Sequence, residues 1–405
     1  MRHNPVSDEW VLYIGPRPGP GKPRDLLQPA RTRPRVHERP EVDTSCAFCV
    51  GNESKCAPCL ETVPPGCSTV PVVGESNSNG SSGGGAWQAR VFQNLFPVLH
   101  TLGTGQMLPT GVAADVRVRA AGRMEVIVAG RGHNECLALQ DPAFGGALVG
   151  LWQSRGRAMA RTGDGGKDAG TGAAAAAAAN PSSMTSSSSV RHIVYFTNHG
   201  ARAGGSLQHA HWQVVGLQFI PPEMLRLRSA ALAYKTSHDG RCCAQCDALQ
   251  SVLSSDAAAS RVVYENACMV AYVAVATQGS TVWVVPKRCG ADFLDAPPEE
   301  VAALGDALHV VTAALYEAFD DPDYNVTLHS ALGGGGSNSS NGFHYYLLVA
   351  PHLFADSSLG RFQYGMGCSG FLPEAAAAKL RGALNPKYAA AKLTLDPALQ
   401  KRAGL

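Results

Sequence analysis

The segment from Gly204 to Leu217, GGSLQHAHWQVVGL, places two histidines and a glutamine at alternating positions directly after Gly-Gly-Ser. Alternate residues of a β-strand face the same side, so His209, His211 and Gln213 would share one face if this segment is extended. Three polar side chains that converge beside a Gly-rich turn favour a chemical site. The alternative is a half-exposed strand whose polar residues face water, and the segment alone leaves both interpretations open.

The chain also contains three Cys-x-x-Cys pairs: Cys46 with Cys49, Cys56 with Cys59, and Cys243 with Cys246. Two thiolates at this spacing can bind one tetrahedral zinc ion. Disulfides are the alternative in secreted proteins, but the N-terminal segment has no apolar region of the kind that directs secretion. Four cysteines outside the pairs are expected to be small buried hydrophobic residues: Cys67, Cys136, Cys268 and Cys368.

Composition limits the classes of function. The 405 residues are 45% hydrophobic, enough for two ordinary domains or one large one. The net charge of +2, from 34 basic and 32 acidic residues, gives no electrostatic reason to expect a nucleic-acid or membrane partner. We therefore expect a cytoplasmic protein without a membrane-spanning segment.

Low-complexity sequence interrupts the chain in three places, at residues 75–86, 163–189 and 333–342. Their Gly-, Ser- and Ala-rich composition cannot bury a core, so we interpret them as loop insertions. The remaining sequence contains eight strand-like runs and three helical patterns. The predicted strands are 89–95, 124–130, 192–198, 211–217, 267–276, 282–287, 324–331 and 343–351, and the predicted helices are 141–162, 297–318 and 373–384.

The order of these segments repeats along the chain. Each half contains a cysteine pair, two strands, a helix, a strand, a Gly-rich turn and a strand that begins near a histidine. We therefore predict an α+β fold with an internal duplication, in which residues 1–217 and 218–405 form tandem halves. The repeat also groups the metal ligands into two closed, structural sets: Cys46, Cys49, His133 and His209, then Cys243, Cys246, Cys289 and His344.

One element occurs in the first half alone. His211 and Gln213 correspond in the second half to Tyr346 and Leu348, although both halves keep the preceding histidine. An imidazole without a metal, beside backbone N–H groups and an amide, is suited to nucleophilic attack on phosphorus. The comparison therefore favours His209 as a metal ligand and His211 as a nucleophile.

These motifs resemble the galactose-1-phosphate uridylyltransferase family of the histidine-triad superfamily. The resemblance rests on NHGARAGGSLQHAHWQ, with CAFCVGNE, VFQNLFPVL and EVIVAGRGH upstream, and spans nearly the whole chain outside the low-complexity stretches. It implies two tandem histidine-triad-like domains with antiparallel sheets. It also favours Cys46 and Cys49 over Cys56 and Cys59 for the first zinc site.

The branch of the family is indicated by the C-terminal segment RFQYGMGCSGFLPE. Family members that act on galactose 1-phosphate have a glutamate where this chain has Gly367. The segment FQYGMGC and the second cysteine pair instead resemble the plant-type ADP-glucose phosphorylase branch. Cys289 stands where that branch has a histidine, and a thiolate is also a good zinc ligand.

The resemblance implies a nucleotidyltransferase that acts on a nucleotide sugar by a ping-pong mechanism. ADP-glucose phosphorylase is the expected activity, and a UDP-glucose–hexose-1-phosphate uridylyltransferase is the alternative. The implied catalytic residues are His211, Gln213 and Ser206. The implied substrate contacts are Arg17, Asn94, Asn198, Gly204, Gly205, Ser206, Leu207, Gln213, Gln363 and Tyr364, with Lys22 as a further candidate phosphate contact.

The expected cofactor is zinc at two structural sites, and the expected partners are a nucleotide sugar, phosphate or a sugar phosphate, and a second copy of the chain in a homodimer. A histidine-triad hydrolase is a second class of function, against which Gln213 argues because such enzymes have a third histidine there. A zinc-dependent binding module is a third class. The balanced charge and the absence of a basic, aromatic stripe argue against nucleic-acid binding by such a module.

Overall fold

A computed structural model describes residues 2–4, 6–7, 9–13, 33–67, 87–99, 122–161, 190–238, 243–254, 260–277, 279–289, 292–330, 343–353 and 366–384. The three low-complexity stretches lie outside these residues, as do Arg17, Lys22, Gln363 and Tyr364.

The described residues form thirteen strands and five α-helices. The strands are β1 (Arg2–Asn4), β2 (Glu9–Tyr13), β3 (Cys59–Val63), β4 (Ala89–Gln93), β5 (Gly122–Ala129), β6 (His192–His199), β7 (His211–Leu217), β8 (Val262–Glu265), β9 (Met269–Val273), β10 (Val282–Pro286), β11 (Tyr324–His329), β12 (Tyr346–Pro351) and β13 (Met366–Ser369). The helices are α1 (Pro142–Arg161), α2 (Pro222–Ser237), α3 (Ala244–Ser254), α4 (Pro298–Ala318) and α5 (Pro373–Ala383).

Ten of these strands form one antiparallel sheet in the order β3-β4-β5-β7-β6-β11-β12-β10-β9-β8. The sheet is continuous where β6 pairs with β11, and Asn198 lies opposite Asn325 in that pairing. A separate small sheet has the order β1-β2-β13, in which β2 and β13 are parallel.

The two halves of the large sheet have the same topology. The first half places its strands in the order β3-β4-β5-β7-β6, and the second half places them as β8-β9-β10-β12-β11. One long helix, α1 or α4, follows the third strand of each half. We propose the boundary between residues 217 and 218, because each side then contains five strands and one long helix of this repeat.

Both long helices lie on one face of the sheet, here called the helix face. They cross so closely that a Cβ atom built on Gly145 would lie 2.3 Å from the carbonyl oxygen of Gly305. Trp152 of α1 packs against Trp212 of β7 with ring centroids 4.5 Å apart. Because side chains alternate along β7, Trp212 and Val214 are buried on this face, and His211 and Gln213 point to the opposite face, here called the open face.

Helix α4 is long and apolar enough to cross a membrane, but 72% of its most apolar window is buried within the protein. Its residues Leu304, Leu308, Val311 and Leu315 are fully buried in the main hydrophobic core. Among the described residues, α4 is the one helix that is long and apolar enough to cross a membrane, and it is packed in the core of the protein.

The eight predicted strands and three predicted helices are all present, with ends that differ by up to three residues. Sequence patterns missed helices α2 and α3. Helix α2 buries only Met224 and Leu227, so its apolar periodicity is weak. Helix α3 begins at Ala244, between the two cysteines of a pair that we had interpreted as a zinc knuckle. Five short strands were also missed: β1, β2, β3, β8 and β13.

Candidate active site

His211 begins β7 and is 6% exposed. Its Nδ1 atom lies 2.9 Å from the carbonyl oxygen of His209. A carbonyl oxygen can only accept, so Nδ1 must carry the ring proton and Nε2 must hold the lone pair. Burial lowers the pKa of His211 from its usual 6.5, which keeps the imidazole neutral near pH 7. His211 is therefore a neutral imidazole with Nε2 available as a nucleophile.

Neighbouring groups fix the position of His211. The Thr197 hydroxyl, on the adjacent strand β6, donates a hydrogen bond to the His211 carbonyl oxygen at 2.7 Å. The Phe48 ring packs edge-on against the imidazole, with ring centroids 5.4 Å apart. Phe48 lies between the two cysteines of the first pair, so the same segment that supplies metal ligands also packs against the nucleophile candidate.

The four predicted ligands of the first metal site lie together. Cys46, Cys49, His133 and His209 are all buried, and their ligand atoms lie within 4.8 Å of one another. The Cys49 Sγ atom is 3.5 Å from Nδ1 of His133 and 3.5 Å from Nδ1 of His209. Zinc with ordinary Zn–S and Zn–N bonds would set such S···N edges at about 3.6 Å. The donor set therefore fits a tetrahedral zinc ion.

His209 connects this metal set to the nucleophile candidate. Its Nε2 atom lies 3.1 Å from the carbonyl oxygen of Gly130, which fixes the proton on Nε2 and leaves Nδ1 for a metal. The backbone carbonyl oxygen of the same residue accepts a hydrogen bond from Nδ1–H of His211. A metal bound to His209 would therefore hold in place the carbonyl group that orients His211.

The second predicted set, Cys243, Cys246, Cys289 and His344, also converges within 4.8 Å. The Sγ atoms of Cys243 and Cys289 are 3.6 Å apart, close to the S···S edge of about 3.8 Å expected for zinc. Cys289 is exposed, whereas every ligand of the first set is buried. The remaining Cys-x-x-Cys pair, Cys56 and Cys59, is part of neither set. The thiol of Cys56 donates to the Ala47 carbonyl oxygen, and that of Cys59 donates to the Glu61 carbonyl oxygen.

A cavity of about 260 Å³ lies at the ends of β6, β7 and β11, beneath the turn that precedes His209. Gly205, Ser206 and Leu207 line it, together with His211 and three arginines: Arg33, Arg39 and Arg202. Two glycines of the turn require a positive φ, at +86° for Gly200 and +84° for Gly204. Backbone amides in such a turn and nearby guanidinium groups are suited to binding a phosphate group.

The predicted asparagines have different surroundings. The Asn198 side chain donates to the Gly204 carbonyl oxygen at 3.3 Å and accepts from the Asn325 side chain at 2.8 Å, so it supports the turn. Asn94 follows β4 on the open face, where its side chain accepts from the Phe96 backbone N–H at 2.9 Å. Asn94 does not line the cavity, and Gln213 lies half-buried on the same open face.

A group of charged residues that sequence patterns did not predict lies beside the turn. The Nε2 atom of His199 lies 2.7 Å from the carboxylate of Asp321. The Arg33 side chain donates to Asp321 at 2.6 Å and to Asp323 at 2.8 Å. Asp323 also accepts from the backbone N–H of Arg202, at 2.8 Å. Residues 321–323 of the second half therefore fix the turn of the first half.

The electrostatics of this group favour ionised aspartate. Burial alone would raise the pKa of Asp321, but the hydrogen bonds and positive charges of His199 and Arg33 hold it well below its usual value. Asp321 adopts a positive φ of 55°, an uncommon conformation for this residue type. The only sequence signal was the acidic segment DDPD at 320–323, which does not identify a partner 288 positions away.

Comparisons with known proteins agree with this arrangement. The N-terminal domain of DUF4931, a domain of unknown function, matches residues 176–220, which include the His-x-His-x-Gln motif. The ADP-glucose phosphorylase of Arabidopsis thaliana is 24% identical over 369 residues, which are 91% of this chain and 88% of that protein. The galactose-1-phosphate uridylyltransferase of Thermotoga maritima is 28% identical over 163 residues, 40% of this chain and 49% of that protein.

Solved structures show the same fold. An ADP-glucose phosphorylase from Arabidopsis thaliana with bound ADP-glucose superposes with a TM-score of 0.65, at 21% identity, covering 94% of this chain and 97% of that chain. A uridylyltransferase structure gives a TM-score of 0.61 at 18% identity, covering 89% and 95%. The chain therefore has the fold of these enzymes. Its sequence is similar to the plant ADP-glucose phosphorylase over most of its length and to a galactose-1-phosphate uridylyltransferase over a shorter part, as the motifs of the sequence predict.

Proposed function

We propose that the protein is a nucleotidyltransferase that acts on a nucleotide sugar through a nucleotidyl-histidine at His211, with ADP-glucose phosphorylase as its activity. The reaction is ADP-glucose plus phosphate to glucose 1-phosphate plus ADP. The observation that supports this proposal most directly is the state of His211, whose Nδ1 faces the His209 carbonyl and whose imidazole is neutral. The relative named ADP-glucose phosphorylase, which matches 91% of the chain, supports the choice of substrate.

In the first step, Nε2 of His211 attacks the α-phosphorus of the nucleotide sugar. A bond forms between Nε2 and phosphorus, the bond from phosphorus to the bridging oxygen breaks, and glucose 1-phosphate leaves. The Nδ1 proton stays on the ring, where the His209 carbonyl stabilises the positive charge that develops on the imidazole. The N–H groups of the turn before His209, together with the Ser206 hydroxyl, are placed to stabilise the negative charge on the phosphoryl oxygens.

In the second step, an oxygen of inorganic phosphate attacks the adenylyl group. The bond between phosphorus and Nε2 breaks, ADP leaves, and the neutral imidazole returns. Gln213, on the same face of β7 as His211, is proposed to hold a phosphoryl oxygen in both steps. Asn94 is proposed as a contact of the nucleotide from the open face. Arg17, Gln363 and Tyr364 stay proposed contacts of the phosphates and the sugar.

Zinc is the proposed metal of both cysteine–histidine sets, where it would supply structural cross-links. At the first set it would hold the His209 backbone, and through that backbone the orientation of His211. We further propose that the protein acts as a homodimer in the cytoplasm.

A UDP-glucose–hexose-1-phosphate uridylyltransferase is the second candidate. The relative from Thermotoga maritima favours it, because it matches at 28% identity. That match covers 40% of this chain, however, and Gly367 occupies the position at which the family's hexose-binding glutamate is expected. Both candidates use the same first step, so they differ in nucleobase and acceptor.

Radiolabelled substrates separate the two candidates. Purified protein is incubated with adenine-labelled ADP-glucose, alone and then with phosphate, and in parallel with UDP-glucose plus galactose 1-phosphate. We expect label on His211 from ADP-glucose, and its release as ADP when phosphate is added. Transfer only from UDP-glucose to galactose 1-phosphate would establish the second candidate instead, and no label from either donor would contradict both.

A further inference from the structure

Three arginines in the segment of residues 33–39 differ in how their charges are neutralised. Arg33 pairs with Asp321 and Asp323. Arg35 lies 3.4 Å from the Asp320 carboxylate and 3.7 Å from the Glu317 carboxylate. Within the described residues, no carboxylate lies within 4 Å of Arg39, although Arg39 is the most buried of the three.

Arg39 is 7% exposed and lines the cavity beneath the turn. Its Nη1 atom donates to the Gln208 carbonyl oxygen at 2.7 Å, and its Nε atom is buried without a partner. Burial lowers the pKa of Arg39, and the nearby positive charge of Arg33 lowers it further. Burying a charge without a counter-charge is unfavourable, so the free protein has a site that an anion would complete.

The rest of the cavity wall favours an anion of the phosphate class. Gly205, Ser206 and Leu207 line the same wall, and their backbone N–H groups and the Ser206 hydroxyl are donors of the kind that bind phosphate oxygens. The single carboxylate in the wall, Asp323, is already engaged by Arg33 and by the backbone N–H of Arg202. The hydrogen bond from Arg39 to Gln208 fixes the guanidinium relative to the turn, and a guanidinium presents a planar fork of N–H donors that matches phosphate oxygens.

We propose that Arg39 is a phosphate-contacting residue of this site, which neutralises a phosphate group bound between its guanidinium and the Gly205–Leu207 turn. The identity of that phosphate rests on the proposed function; the existence of the anion site does not. Two sources share this chemistry, namely inorganic phosphate, the proposed acceptor, and the phosphate group of the nucleotide. Their affinities can be measured separately.

The test measures binding of inorganic phosphate and of AMP to the full-length protein by isothermal titration calorimetry. The variants are Arg39→Leu, which removes the charge, and Arg39→Lys, which keeps the charge without the planar fork. Arg35→Leu is the matched control, because it removes a charge from the same segment at a residue that does not line the cavity. Circular dichroism and thermal melting check that each variant is folded.

We expect Arg39→Leu to weaken binding of at least one ligand by about 10- to 100-fold, the range for a lost hydrogen bond to a charged group. Arg39→Lys should restore part of that affinity, and Arg35→Leu should bind like the wild type. Weaker binding of inorganic phosphate would assign Arg39 to the acceptor, and weaker binding of AMP would assign it to the transferred phosphate.

The proposal is overturned if the wild type binds neither ligand, or if folded Arg39→Leu or Arg39→Lys protein binds both as well as the wild type does. Neither outcome depends on the substrate assignment. If ADP-glucose is not phosphorolysed but phosphate binding still requires Arg39, the proposed function fails and the anion site stands. If phosphorolysis occurs but phosphate and AMP bind without Arg39, the proposed function stands and the role proposed for Arg39 fails.

Discussion

The two halves of the sheet have the same topology and similar metal sets, but they use the open face in different ways. In the first half, His211 and Gln213 lie on that face, and Gln213 is half-exposed. In the second half, Tyr346 occupies the position of His211 and stacks between His329 and Trp283, with ring centroids 4.8 and 4.6 Å away. An aromatic stack fills the space in which the first half keeps a nucleophile candidate.

The packing around the stack explains the difference. Trp283 and Tyr346 belong to a separate hydrophobic cluster to which Leu249 and Val252 of helix α3 contribute. That helix begins between two ligands of the second metal set, so the second set positions a helix that packs with the aromatic residues. The first set instead positions Phe48 and the His209 backbone beside His211. The same donor chemistry therefore supports a closed face in one half and a site in the other.

The second half also contributes directly to the first. Asp321 and Asp323 bind Arg33, His199 and the Arg202 backbone, all beside the cavity of the first half. The second half therefore lacks the pair formed by His211 and Gln213, and it contributes residues that support the candidate site of the first half.

The largest effect is expected at His211, and Tyr346, at the equivalent strand position of the second half, provides the control. His211→Asn removes the nucleophile, and we expect loss of nucleotidyl labelling and a fall in turnover of at least about 1,000-fold. Tyr346→Phe, at the equivalent position, should keep turnover near that of the wild type because the aromatic stack persists. Label on folded His211→Asn protein would show that another residue attacks phosphorus.

The metal sets should differ in their effect on activity. Cys49→Ser and Cys246→Ser should each reduce the zinc content by about one ion per chain, measured by atomic emission on folded protein. Cys49→Ser should lower kcat by about 10- to 100-fold, because it loosens the carbonyl that orients His211. Cys246→Ser should mainly lower the melting temperature. Equal losses of kcat in both variants would contradict separate roles for the two sets.

The contact between the halves is tested at Asp321. Asp321→Asn leaves the side chains of Arg33 and His199, which are 13% and 10% exposed, without their full counter-charge. We therefore expect a loss of about 3–5 kcal/mol in the free energy of unfolding. Urea denaturation measures this loss. The exposed Asp320, beside it in sequence, provides the control: Asp320→Asn should cost less than about 1 kcal/mol. A loss of similar size in both variants would show that the network around Asp321 contributes no more stability than the exposed ion pair of Asp320.

The smallest effect is expected from His329, a half-buried histidine that stacks against Tyr346. Burial lowers the pKa of His329 to about 4, against 6.5 for an ordinary histidine. Between pH 6.5 and 4 the unfolded chain therefore binds the proton that the folded chain does not, and the folded state loses stability as the pH falls. His329→Phe keeps the stack and should remove about 1–2 kcal/mol of this acid sensitivity.

Melting temperatures measured between pH 7 and 4.5 check that prediction, with exposed His238→Gln as the control. His329→Phe protein should melt with a flatter dependence on pH than the wild type does, whereas His238→Gln protein should follow the wild-type curve. If the melting temperatures of both variants depend on pH as those of the wild type do, His329 has the same pKa in the folded and unfolded chain. The aromatic face would then be open to water.

Much of the fold could be predicted from the sequence, because the signals are local. The strand of His211–Leu217 has the predicted bounds, since alternation of apolar and polar residues is a property of neighbouring positions. The four ligands of each metal set were predicted from Cys-x-x-Cys spacing and the repeated order of elements. Helix α2 was missed because only two of its residues are buried, which leaves almost no apolar stripe in the sequence.

The sequence by itself determined the alternation that puts His211 and Gln213 on one face, the donor types of the metal sets and the repeat that restricts this pair of residues to the first half. Only the tertiary structure decided which charges meet. Arg33 and Asp321 are 288 positions apart, so no local pattern pairs them. In the sequence Arg39 resembles its neighbour Arg35, but in the structure Arg39 is buried and no carboxylate of the described residues lies within 4 Å of it. Charge neutralisation depends on distances through space, and those distances exist only once the two halves share one sheet.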